Sequence, residues 1–387
     1  MVEEVGAHVW TATDASPSGG AAAAHGITLA VDGHLFITGR IGGPPSTHPG
    51  VTTNHNIFTR KLTRGGAGLW TVLYDGPPSG LDAGLGIAAR SDDGVVVVGQ
   101  LQPDGDTAGE VWIRAINSDG AVAWTSTARG NNFADDAGTG VTVLADGTTV
   151  VIGRVYGAAG SDDGAIWIRR LAADGSALQD AVIEADGDPW HAGGRAVALT
   201  PDGMGIFAAG IRPAASASRI WVSRRTGTLA KVWEQTLLDS PGAAFGVAST
   251  IDGDAIVVGA IGEVGTLGYG DGPTAAFVGR LRGDDGGTMW TMMRADAPKQ
   301  RANAVAVDPC GDLIVVGEVG DAAPQAWIAK LRAADGAEVW SVVEAVMEGE
   351  TSSRANAVVV DADRSVYVAG QAVTAAGEHF WVQRRGP

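Results

Sequence analysis

His191, Arg195 and Arg354 are the residues of this chain whose types best fit acid–base chemistry. An imidazole can abstract a proton near neutral pH, and guanidinium groups can neutralise a carboxylate or a developing oxyanion. Such a trio would suit a lyase or hydrolase acting on a carbohydrate or a small metabolite. A second set is made of imidazoles: His25, His48, His55 and His379, the last beside Glu378. Gathered in space they could hold a divalent metal such as Zn²⁺, although their spacing matches no compact ligand motif and solvated loop histidines are the plainer reading. Acidic loops such as Asp104-Gly105-Asp106 and Asp162-Asp163-Gly164 have oxygen ligands suited to Ca²⁺, but lack the terminal Glu of an EF-hand. No cofactor is expected beyond such a metal. Trp190, next to His191, could stack on a sugar ring or anchor its loop between neighbouring elements. The chain has no Gly-x-Ser-x-Gly elbow, no His-Glu-x-x-His pair and no phosphate-binding glycine loop.

Composition narrows the partners. Acidic residues exceed basic ones, giving a formal charge of −17 over 387 residues. Such a surface repels phosphate backbones and anionic lipids, so nucleic acid is not an expected partner. The longest apolar runs are short pieces such as Val95-Val96-Val97-Val98, so no membrane insertion is expected either. The start, Met1-Val-Glu-Glu, reads as neither a signal nor a transit peptide. One cysteine, Cys310, cannot make an intrachain disulfide. The favoured setting is nevertheless exported and bacterial, periplasmic or extracellular, with the protein a monomer.

The elements that must position these residues come from a repeat. An apolar run ending in Gly recurs seven times, closing at Gly39, Gly99, Gly153, Gly210, Gly259, Gly317 and Gly370. The interval is about 55 residues, so seven units consume the chain. Each unit reads as four short strands. The first is Ala/Val-rich, and an Asp-Gly turn such as Asp146-Gly147 or Asp202-Gly203 leads into the apolar run. A run without alternation suits a strand buried on both faces. The third strand centres on Phe58, Trp112, Trp167, Trp221, Phe277, Trp327 or Trp381, followed three residues later by Lys or Arg in every unit but the second, where Ala115 stands. That base is expected to pair with an acid or to cap a carbonyl between units. The fourth strand carries Trp70, Trp124, Trp233, Trp290 or Trp340.

Four strands per unit, seven times over, describe an all-β fold: a seven-bladed β-propeller of four-stranded antiparallel blades. The chain ends after a third strand around Trp381, and an orphan fourth strand, Val9-Trp10-Thr11, sits at the other terminus. The N-terminal strand should therefore complete the last blade and close the ring, leaving no open edge. We expect one domain, 1–387, with blades at about 20–78, 79–131, 132–187, 188–240, 241–297, 298–350 and 351–387 plus 1–16.

The segment from Val358-Val359-Val360-Asp361 to Val366-Tyr367-Val368-Ala369-Gly370 resembles the SBBP-type seven-bladed propeller repeats. Lys330-Leu331 through Val339-Trp340 is similar also to quinoprotein-like propeller repeats. The resemblance implies a propeller fold and says little about activity, because these motifs are structural. The adjacent cysteine pair of quinone-dependent dehydrogenases is missing, since the chain has a single cysteine.

In a propeller the 1–2 and 3–4 turns share one face, while the 2–3 and 4–1 loops share the other. The second set is longer and more irregular here, and variable loops on a rigid scaffold are where binding resides. The residues before or at the start of the first strands should line the central mouth of that face: His25, Asp82, Asp136, Trp190, His191, Arg195, Phe245, Lys299, Arg301, Asn303, Arg354 and Asn356. Acids lie toward blades two and three and bases toward four, six and seven, so a polarised mouth is expected. The leading expectation is a non-catalytic scaffold binding a protein or a carbohydrate ligand there; the alternative is the propeller lyase or hydrolase above.

Overall fold

The structure is a computed structural model that describes residues 6–15, 21–43, 54–76, 80–102, 109–130, 135–157, 164–183, 186–187, 192–215, 217–262, 273–346 and 348–387. Among these residues the chain forms seven antiparallel sheets and no helix. In six of the sheets four strands run in chain order from the axis outward, as in Ala22–Leu29, Leu35–Gly42, His55–Leu62 and Gly68–Tyr74, and in the seventh the outermost strand is the N-terminal His8–Ala15. Blade four carries an extra two-residue strand, Asp186–Gly187, parallel to the end of Gly205–Ala215. Each innermost strand touches those of both neighbouring blades, and that of blade seven, Glu350–Val360, touches Ala22–Leu29 of blade one. The sheets therefore form a closed ring, a seven-bladed β-propeller.

Closure runs through the N-terminal strand. His8–Ala15 pairs antiparallel with Gly377–Arg385, setting Trp10 opposite Arg384 and Thr13 opposite Trp381. The ends are tied as well: Gly6 donates its N–H to the Pro387 carbonyl at 3.2 Å and Gly386 donates to Ala7 at 2.8 Å. The second strands are buried on both faces, with Val95, Val97 and Val98 at 0 % exposure, whereas outer strands such as Gly68–Tyr74 alternate between exposed and half-buried residues. The apolar run is thus the centre of a sandwich between adjacent blades, where continuous Val and Ile bury the most surface.

The repeated bases and tryptophans join blades. Lys61 reaches Asp32 at 3.1 Å and the Ser118 carbonyl of the next blade at 3.3 Å. Arg280 pairs with Asp254 at 2.7 Å and donates to the Ala333 carbonyl of the next blade at 2.9 Å, so it fills both expected roles. Lys330 bonds buried Asp308 at 2.8 Å. The outer-strand indoles of Trp70, Trp124, Trp233 and Trp290 donate to the 3–4 turn carbonyls of Ser118, Ala173, Gly283 and Ala333 on the following blade. A polar atom on an otherwise apolar ring thus finds a fixed partner while the ring covers the seam.

Candidate functional site

The mouth is built by one irregularity repeated around the ring. Every inner strand has a β-bulge, and the bulged residues are His25, Leu85, Thr139, Arg195, Phe245, Asn303 and Asn356. The residue before each bulge pairs with the glycine that ends the apolar run, as Ala24 pairs with Gly39 and Ala355 with Gly370. A Cβ on Gly39 would overlap the Ala23 carbonyl oxygen, so the inner strand can press against its neighbour only because no side chain stands there. The extra residue is left unpaired by the ladder. All seven bulged residues are half-buried, each following a buried residue.

Five of these seven are among the candidates named from the sequence, and Leu85 and Thr139 complete the ring. Three bulged side chains act as a belt. Thr139 donates to the Gly194 carbonyl at 2.8 Å, Asn303 to Ala355 at 2.9 Å and Asn356 to Ala24 at 2.9 Å. Each acceptor is the residue just before the next blade's bulge, so the belt locks neighbouring inner strands at one level. The two asparagine amides are thus engaged in holding the ring.

The acids named for blades two and three are loop staples. Asp82 accepts from the backbone N–H of Gly76 at 2.9 Å and of Gln102 at 3.0 Å; Asp136 accepts from Gly130 at 2.5 Å and Tyr156 at 2.8 Å. Both are almost fully buried. Burial pushes each carboxyl up to about 6, against the pull of those N–H groups. The acidic side of the expected polarity is therefore turned into the loops rather than presented at the mouth.

The bases are paired. Glu318, on the second strand of blade six, lies between Arg301 and Arg354 and is ion-paired with both guanidinium groups, the Arg354 Nε at 2.6 Å. Arg301 also lies 5.7 Å over the Phe245 ring. Beside this group, Glu378 accepts from Arg40 at 2.8 Å and from Gln371 at 2.5 Å, and Gln371 in turn accepts from Asn356 at 3.2 Å. Lys299 pairs with Asp321 at 2.8 Å. Glu318, Arg40 and Gln371 escaped the sequence reading, yet a signal was present. Each directly follows a run-ending glycine (Gly317, Gly39, Gly370), the position opposite the residue two before the bulge.

His25 is held down at about 3, first by burial, then by the charges of Arg40 and His55. It is a neutral imidazole at physiological pH, poorly tuned as a general base. Burial and Arg40 lower His55 too, with Glu378 acting against them. His379 bonds Glu350 at 3.1 Å. Among the described residues no three His, Cys, Asp or Glu side chains gather as a metal site, and the Arg40 charge beside His25 and His55 opposes a cation there. Trp190, His191 and His48 lie outside the described residues. Arg195 stands on blade four and Arg354 on blade seven, two strands that are not neighbours in the ring.

No family model and no curated protein matches this chain. Among solved structures it is similar to a quinohemoprotein alcohol dehydrogenase from Comamonas testosteroni, at 9% identity, covering 100% of this chain and 79% of that one with a TM-score of 0.51. It is similar to the polysaccharide lyase Uly1, at 11% identity, 94% and 89% coverage and a TM-score of 0.49. It is similar also to Chaetomium thermophilum Sqt1 bound to the N-terminus of ribosomal protein L10, at 12% identity, 97% and 99% coverage and a TM-score of 0.49. The ring of seven sheets is itself what defines the class, a β-propeller, and that fold by itself assigns no activity.

Proposed function

We propose that the protein is a non-catalytic recognition scaffold that takes a protein or a glycan at its long-loop face and central mouth. The observation that carries this reading is the Arg301–Glu318–Arg354 group. One buried carboxylate orients two planar guanidinium groups, and the side chain of Arg354 remains 37% exposed. Pre-oriented donors lose little conformational freedom when a hydroxyl, carboxylate or backbone carbonyl binds them. The neutral, strongly lowered His25 and the separation of Arg195 from Arg354 speak for recognition ahead of proton transfer. On this reading the repeats are of the SBBP type, and the protein is an exported monomer.

The test is a glycan array probed with the wild type and with the Arg301→Gln and Arg354→Gln variants. Binding that falls about ten-fold in both variants, with intact melting curves, supports the mouth as the site. Bound glycans that are cleaved during incubation would establish the alternative, a lyase or hydrolase. An array without signal directs the same variants to candidate protein partners.

A further inference from the structure

The face opposite the long loops carries a feature of its own. Among the described residues the three most exposed large apolar side chains are Val31, Met204 and Ile251, at 80%, 68% and 66%. All three stand in 1–2 connections, those of blades one, four and five. Single exposed apolar residues are ordinary, but a concentration on one set of turns marks a contact surface. The placement is a repeat position. The first central residue of the turn is Val31, Ala145, Pro201, Ile251, Pro309 or Ala362 in six blades and Ser91 in the second, and all seven are exposed.

These residues touch from turn to turn. A Cβ on Gly203 of blade four would lie 3.3 Å from the Ala145 side chain of blade three. On Gly253 of blade five it would lie 4.0 Å from Pro201 of blade four, and on Gly311 of blade six 3.7 Å from Ile251 of blade five. The apolar side chains thus continue around the ring as a collar. Within it lies a cavity of about 450 Å³, bordered by Pro201, Ile251, Pro309 and Ala362. Behind them it meets the last residues of four inner strands, Leu199, Ser249, Val307 and Val360. Four consecutive inner strands converge only toward the axis, so the cavity is at the centre of this face, and its size is that of a ligand pocket.

Charge chooses the occupant. The second central residue of the turn is Asp32, Asp92, Asp146, Asp202, Asp252 or Asp363, with Cys310 in blade six. The side chains of Asp146 and Asp252 are more than half exposed, whereas the bases that answer them, Arg170 and Arg280, are largely covered. Asp202 is exposed as well, and it bonds the Thr200 hydroxyl and the Met204 N–H in place of a base. Solvent therefore meets carboxylates around an apolar centre. Such a rim repels phosphate headgroups and nucleic acid, and the collar has no aromatic ring on which a sugar could stack. We propose that it docks a basic polypeptide segment, seating a Leu, Ile or Met side chain in the cavity while flanking Lys or Arg side chains meet the turn aspartates.

The experiment titrates acetyl-Lys-Lys-Leu-Leu-Lys-Lys-amide into the full chain by calorimetry. Two control peptides replace the leucines by serine or the lysines by glutamate. The expected result is saturable binding of the first peptide, at least about ten-fold tighter than either control. Ile251→Lys, at a site open to solvent, should weaken that binding at least about ten-fold without lowering the melting temperature. Should this variant fold poorly, Ala362→Lys takes its place on the same cavity. Leu73→Lys, 53% exposed on an outer strand, should bind as the wild type does. Absence of binding, equal affinity for the three peptides, or undiminished binding by a folded Ile251→Lys or Ala362→Lys protein would overturn the proposal. So would a wild-type dimer in sedimentation that Ile251→Lys converts to a monomer, since the occupant would then be a second copy of this chain.

Discussion

Asp82 and His25 push the acid response of the fold in opposite directions. The folded pKa of Asp82 is about 6 against an ordinary 3.8, and Asp136 behaves likewise. Between those values the folded state holds protons that the unfolded chain lacks, so these carboxyls add stability as pH falls through 6. His25 has a folded value of about 3 against an ordinary 6.5. The unfolded chain takes up that proton below 6.5 while the folded one refuses it, so stability is lost on acidification. Asp82→Asn removes one of the compensating gains. Its melting temperature should fall more steeply than that of the wild type between about pH 7 and pH 4.5, a difference worth about 1–3 kcal/mol. Parallel slopes in calorimetric melts would contradict the assignment. Glu318→Gln leaves Arg301 and Arg354 without their shared carboxylate and should cost about 2 kcal/mol in urea unfolding, whatever its effect on binding. Both effects depend on side chains whose identity is plain in the sequence but whose burial is not. Asp82 and Asp136 read as mouth residues because they stand just before the first strands, but the backbone N–H groups of Gly76 and Gln102, and of Gly130 and Tyr156, engage them instead.

At the scale of the element, the bulge and the run-ending glycine are two parts of one device. The glycine admits the neighbouring carbonyl, and the inner strand answers with an extra residue that the ladder leaves unpaired. The glycines are legible in sequence at every repeat, whereas the bulge is a matter of register that apolar patterning alone does not reveal. The third-strand base is another such element. Among the described residues, Lys330 is the cation bonded to the nearly inaccessible Asp308 carboxylate, which otherwise accepts from the backbone N–H groups of Cys310 and Asp312, and Lys330→Met removes it. Urea unfolding should show a loss of about 3 kcal/mol, far above the ~0.5 kcal/mol of an ordinary surface change. A loss within that smaller range would mean that the base is ornamental.

For the whole molecule, stability rests on the ring being closed. Removing residues 1–15 would strip Gly377–Arg385 of its partner and leave an open edge of unpaired backbone groups. The shortened chain should run as oligomers in size-exclusion chromatography and melt roughly 10 °C lower. A monomer of unchanged melting temperature would show that the tail is dispensable.

Blade number, strand order, the seam tryptophans and the completing N-terminal strand were all determined by the sequence, because each depends on a pattern that recurs every blade and burial demands the same residue types each time. What only the tertiary structure decided is which polar groups face one another. Glu318 meets Arg301 within blade six and Arg354 of blade seven, and Glu344 meets Arg385 across the same seam, although 36 and 41 residues separate the partners in the two contacts between blades. Those meetings follow from register and from the angle between blades, and no local pattern of charge encodes either.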